Sequence, residues 1–128
     1  MILDSSAIVG ILRKEPGYES LAEKMRAAET VGVGTATLVE TEFVLVGRFD
    51  RQGRVLLRNF VVDKKIDVVS FGEQHWREAG RAFVHYGKGR HRAALNLGDC
   101  MTYATARLAG EPLLCLGEDF ALTDLELA

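Results

Sequence analysis

Met1-Ile2-Leu3-Asp4-Ser5-Ser6 opens the chain, and Ala7-Ile8-Val9-Gly10-Ile11-Leu12 follows without a polar break. The leading apolar run is too short for anything but a strand, whereas the run after the serines has helical length and composition. Ser5 and Ser6 belong to the residue types that start helices by accepting hydrogen bonds from free backbone N–H groups. A strand that stops on Asp4 and turns directly into a helix puts that carboxylate at the carboxyl edge of a sheet. In open α/β sheets that edge is where ligands bind. Asp4 taken alone is a helix cap. It becomes a site residue only if carboxylates from distant parts of the chain converge on the same edge.

Working outward, Glu15-Pro16-Gly17 makes a turn, and residues 18–28 read as a second helix with Leu21, Met25 and Ala28 on one side. Val31-Gly32-Val33-Gly34 is a short strand; no G-x-G-x-x-G follows it, so it does not begin a dinucleotide loop. Thr35 or Thr37 can cap a third helix running to about Phe49. A fourth helix covers 51–65, with Val55, Leu56, Phe60 and Val61 apolar. Ile66-Asp67-Val68-Val69 alternates too little for a half-exposed strand, which predicts burial on both faces. The fifth helix spans 73–86, with Trp76, Ala79, Phe83 and Ala82 expected inward. A polar loop over 87–92 leads to a sixth helix over 98–108, ended by Gly110 and Pro112. Leu113-Leu114-Cys115-Leu116 is the fourth strand, and Leu125-Glu126-Leu127 is a candidate edge strand. Strands alternating with helices imply a parallel sheet covered on both faces. The expected fold is therefore α/β: one domain over 1–128, a three-layer α/β/α sandwich around a parallel sheet of four or five strands.

The bulk properties narrow the classes. At 128 residues the chain supports one real core. A net charge of −2 does not announce a nucleic-acid binder, so any such role must rest on local charge. Cys100 and Cys115 lie in apolar segments without metal-type spacing and read as reduced, buried thiols. No apolar run has the roughly 18 residues of a membrane span. No basic segment precedes an apolar one at the start, so the expected location is the cytoplasm.

Three further acids compete for the edge that Asp4 marks. Projecting 36–49 at helical pitch leaves a solvent arc at Thr37, Thr41 and Arg48 and places Glu40 among Ala36, Phe43, Val44 and Gly47. A carboxylate there costs several kcal/mol unless it is paired or bound to a cation. Glu42 also falls among apolar neighbours, so periodicity leaves both open, and Glu42 has pairing with an arginine as its other explanation. Asp99 opens the sixth helix, where the dipole favours a negative charge. Asp119 follows the fourth strand, with Glu118 and Asp124 as competitors. Carboxylates gathered at one edge need counter-charge, and hard divalent cations, Mg²⁺ or Mn²⁺, suit an all-oxygen site. His75, His85 and His91 lack zinc spacing, and no G-x-S-x-G elbow occurs. Metal-assisted phosphodiester hydrolysis is the chemistry these residues suit. Arg81, Lys88, Arg90, His91 and Arg92 crowd the end of the fifth helix and its loop, which runs toward Asp99. They are the candidate RNA-binding residues, with Tyr86 as a surface for base stacking.

With those residues in view, the chain resembles a PIN-domain ribonuclease, and specifically the VapC toxins of type II toxin–antitoxin modules. The resemblance spans nearly the whole chain. It rests on Leu3-Asp4-Ser5-Ser6-Ala7, Thr37-Leu38-Val39-Glu40, Tyr86-Gly87-Lys88-Gly89-Arg90-His91 with Leu97-Gly98-Asp99-Cys100, and Leu114-Cys115-Leu116-Gly117-Glu118-Asp119-Phe120. It implies Asp4, Glu40, Asp99 and Asp119 as catalytic metal ligands, with Ser6 in support. Glu40 rather than Glu42 holds the family position. Many relatives carry Thr-x-Asn or Thr-x-Asp after the last strand, where this chain has Cys115-Leu116-Gly117, so Asp119 acts directly or through water, with Asp124 as its alternate. The resemblance further implies a homodimer, Mg²⁺-dependent RNA cleavage, and a VapB-type antitoxin that inserts a basic side chain into the acidic pocket. Apolar helix positions in excess of a monomer's needs agree with such partners. The other readings are a PIN-fold RNA-processing nuclease without an antitoxin, and a non-catalytic binding module or receiver-like phosphoacceptor; the latter would want paired acids after the first strand.

Overall fold

The computed structural model describes all residues, 1–128. Strand β1 (Ile2–Leu3) runs into helix α1 (Ser5–Leu12), followed by α2 (Tyr18–Ala27), β2 (Gly32–Gly34), α3 (Thr35–Phe49) and α4 (Arg51–Asp63). Then come β3 (Asp67–Val69), α5 (Glu73–Tyr86), α6 (Leu97–Ala109), β4 (Leu113–Leu114) and a 3₁₀ turn over Asp119–Leu122. The four strands are parallel in the order β3-β2-β1-β4. Ile2 faces Leu113 and Leu3 faces Leu114 in register. The predicted tail strand is reduced to a single parallel bridge between Leu127 and Leu113.

Alternation along the strands builds two cores. Leu3, Val33 and Leu114 point to one face, where they pack with Ile8, Leu21, Leu45, Leu57 and Phe60 of α1 to α4. Ile2 and Leu113 point to the other, against Ala82, Leu95, Tyr103 and Ala106 of the α5–α6 side. Sheet order runs outward from β1 in both directions, so the crevice at the carboxyl ends of β1 and β4 is the switch point that such sheets use for ligands.

Three expectations about facing are overturned. β3 is an edge strand, not one buried on both faces: Asp67 and Val68 are exposed. On α3 the inward face is Thr37, Thr41 and Leu45, so of the projected solvent arc only Arg48 is exposed, and Phe43 is 72% exposed. The reason is that threonine hydroxyls can be satisfied locally and then pack like valine. Thr41 Oγ1 donates to the Thr37 carbonyl at 2.7 Å, and Thr37 shares a 3.0 Å hydroxyl contact with Thr102 of α6. On α4 and α5, Val55, Leu56, Trp76 and Phe83 are exposed, whereas Leu57, Phe60 and Ala82 are buried. The apolar surplus in these helices lies on the outside.

Candidate metal centre

Asp4 caps α1 as its sequence position requires, and it is 4% exposed. Its Oδ2 accepts hydrogen bonds from the Ser6 backbone N–H at 3.0 Å and the Ser6 hydroxyl at 2.6 Å. Ser6 Oγ in turn accepts from the Leu116 backbone N–H at 2.9 Å. One hydroxyl therefore ties the end of β1 to the segment leaving β4. Asp4 Oδ1 is the only buried side-chain oxygen or nitrogen without a hydrogen-bond partner. Burying a carboxylate oxygen in this way costs free energy that a bound cation would offset.

Asp99 arrives from the other end of the chain. Asn96 caps α6 by accepting from the Asp99 N–H at 2.9 Å, while Asp99 Oδ2 accepts from the Asn96 N–H at 3.0 Å. This reciprocal cap aims the carboxylate while leaving its second oxygen unused by the cap. Burial is the main cause that pushes the Asp99 carboxyl above its ordinary range; the Asn96 hydrogen bond opposes this, and the charges of Asp4, Glu40 and Asp119 add to it. Asp4, Glu40 and Asp119 therefore all lie within electrostatic reach of Asp99. Half-buried Glu40 reaches from α3 to the α6 N-terminus, where its carboxylate lies against Gly98. Asp119 opens the 3₁₀ turn after β4 and is exposed.

The competing acids have other work. Glu42 pairs with Arg54 at 3.0 Å. Asp124 accepts from the Tyr103 hydroxyl at 2.6 Å and from Arg107 at 3.0 Å. The Tyr103 hydrogen bond, with help from Arg107, holds the Asp124 carboxyl below its ordinary range. No three or more His, Cys, Asp or Glu side chains lie together closely enough to hold a metal ion, so the four acids are near one another without being drawn around a common point. Carboxylates this near one another call for counter-charge, and an all-oxygen set is the type that suits hard divalent ions. Cys115 lies near Asp4 and Asp119; burial first, then those charges, push its thiol up to about 11, which makes it a poor nucleophile at neutral pH.

Apart from Arg81 on α5, the basic residues sit on a loop that closes on itself just before Asn96. Lys88 N–H donates to the Leu95 carbonyl at 3.0 Å, and Leu95 N–H to the Tyr86 carbonyl at 2.9 Å. Lys88, Arg90 and Arg92 are exposed and take part in no ion pair, with Arg90 lying over the Phe83 ring. Arg81 is engaged with Glu78 at 3.1 Å. His91 packs edge-on against Tyr86, whose ring also abuts Tyr103, so Tyr86 has less free face than base stacking needs. Sequence reasoning missed the role of Ser6 as a link to Leu116, because that contact requires the β1–β4 pairing to be known.

The PIN-domain family matches residues 1–125. The chain is 42% identical over 127 residues to a VapC ribonuclease of Mycobacterium bovis and to ribonuclease VapC36 of Mycobacterium tuberculosis, covering 98% of this chain and 91% of each relative. It is 39% identical to a ribonuclease VapC of Mycolicibacterium smegmatis, over 98% of this chain and 97% of the relative. Among solved structures, the fold is similar to Mycobacterium tuberculosis VapC20, a sarcin–ricin loop cleaving toxin. The TM-score is 0.79 at 15% identity, over 99% of this chain and 97% of that one. It is also similar to VapBC2 from Rickettsia felis, solved bound to promoter DNA, with a TM-score of 0.78 at 15% identity, over 99% and 96% of the two chains.

Proposed function

Because the chain belongs to the PIN-domain family and is a ribonuclease of the VapC kind, we propose that Asp4, Glu40, Asp99 and Asp119 hold its catalytic cation and that a VapB-type antitoxin restrains it. The observation that carries this reading is the buried, unpartnered Oδ1 of Asp4, on a carboxylate close enough to Asp99 to raise its pKa. Mg²⁺ or Mn²⁺, when bound, would acidify an attacking water and offset charge on the phosphodiester.

The chain's own residues would do the rest. Ser6 saturates Asp4 Oδ2 and so leaves Oδ1 for the cation. Asn96 orients Asp99 in the same sense. Lys88, Arg90 and Arg92 would draw the phosphate backbone along the loop that ends at Asn96, whatever its sequence. Arg81 and His91 would contribute at the rim, at the expense of their present contacts. An arginine offered by an antitoxin would match the charge of the pocket and block access to it. The exposed Phe43, Val44, Trp76 and Phe83 supply apolar surface for that antitoxin and for a second copy of the chain in a homodimer. The phosphoacceptor alternative does not survive membership of a ribonuclease family.

Asp4→Asn preserves shape and removes the charge. It should lower RNA cleavage about a hundredfold or more, the scale on which a group acting at a reacting centre counts. Excess EDTA should abolish cleavage by the wild type, and Mg²⁺ should restore it. Cleavage that persists in EDTA, or in a folded Asp4→Asn protein, would overturn the metal site.

A further inference from the structure

Gly98 occupies the second position of α6, one residue before Asp99, and is buried. Its backbone is not in the left-handed region. Conformation alone therefore does not call for glycine, which is also the least favourable helix residue after proline. What it provides is space. A Cβ at 98 would fall on Glu40 Oε2, 2.6 Å from Cδ and 3.1 Å from Oε1. The Glu40 carboxylate thus occupies the space that a side chain at 98 would take, and no lysine or arginine pairs with it.

The two helices cannot easily separate to make room for a side chain. Thr37 and Thr102, about one turn from Glu40 and Gly98, are joined by a buried 3.0 Å hydroxyl contact. The end of a flexible side chain yields more readily than packed helices, so a side chain at 98 would turn Glu40 aside and leave the fold standing. We propose that Gly98 is a positioning residue: its missing side chain seats the Glu40 carboxylate beside Asp99, so that α3 and α6 serve one cation. This inference rests on the metal site proposed above.

The test compares Gly98→Ala, Glu40→Gln and their combination, with Gly47→Ala as a control for alanine in an open helical position. Mn²⁺ affinity is titrated by the electron-spin signal of the free ion, and melting is followed in chelator. Gly98→Ala and Glu40→Gln should each weaken Mn²⁺ binding roughly ten- to a hundredfold, the effect typical of losing support for a metal ligand. The double variant should be no weaker than either single one, Gly47→Ala should bind as the wild type does, and the metal-free midpoint of Gly98→Ala should not fall. If Glu40→Gln weakens Mn²⁺ binding and Gly98→Ala does not, the positioning role is overturned while the metal site stands. If Glu40→Gln binds like the wild type, the assignment of Glu40 to the metal is what fails, and this inference with it. Should Gly98→Ala prove unstable, Glu40→Ala in the same chain must restore its midpoint; failure to do so places the clash elsewhere and overturns the proposal.

Discussion

Asp99 stands between opposing influences. The helix N-terminus and the Asn96 amide favour its ionised form, yet burial and three neighbouring carboxylates leave its pKa raised. A carboxyl whose folded pKa exceeds its unfolded one contributes stability that is present below the unfolded pKa. That contribution is lost as pH rises through the folded value. In the metal-free protein at neutral pH, Asp99 is therefore a burden on the fold. Asp99→Asn should melt higher than the wild type at pH 7 in chelator, with the advantage shrinking as pH falls through the carboxylate range. Excess Mn²⁺ should raise the wild-type midpoint by mass action and leave the variant nearly unmoved. A variant less stable than the wild type at pH 7 in chelator would mean that the cap to Asn96 outweighs the cost of the buried charge and would overturn this prediction. This position was legible from the sequence, since an acid in the first turn after Asn96 has few other places to point. Ser6 was legible only in part: its bond to Asp4 follows from spacing, its bond to Leu116 from sheet order alone.

At the scale of elements, the outcome depended on whether polar residues could be satisfied locally. The periodicity of α3 is real, but the face that packs inward is the threonine face, not the apolar one that periodicity favours. Its threonines bond to their own helix and to Thr102, so they are buried at little cost, while Val39 and Phe43 are left outside. A pattern cannot distinguish an apolar stripe meant for the core from one meant for a partner. The tail shows a related point. Asp124, an alternate for the last ligand on sequence grounds, is held by Tyr103 and Arg107 behind α6. The Arg107 pair is half exposed and adds little. The Tyr103 hydroxyl, by contrast, belongs to a buried residue and would lose a charged acceptor. Asp124→Asn should cost about 1–2 kcal/mol in denaturant unfolding and leave RNA cleavage at the wild-type rate. Cleavage falling as far as in Asp4→Asn would return Asp124 to the metal site.

At the scale of the whole molecule, the sheet order β3-β2-β1-β4 is what brings residue 4 and the segment after residue 114 side by side. Alternating strand and helix patterns were enough to infer a parallel sheet and the neighbouring of its first and last strands. They could not show that β3 lies at an edge, because burial of a strand depends on what covers it. With β1 central, α3 and α6 also converge at the carboxyl edge, and acids spread over most of the chain come within electrostatic reach of Asp99. If these acids serve one cation, Mn²⁺ soaked into crystals and located by its anomalous scattering should give a peak in contact with Asp4 Oδ1 and the Asp99 carboxylate, and the peak should be lost in crystals of Asp99→Asn. A peak bound elsewhere, with Asp4 and Asp99 both free of it in a protein that still cleaves RNA, would rule out a shared cation.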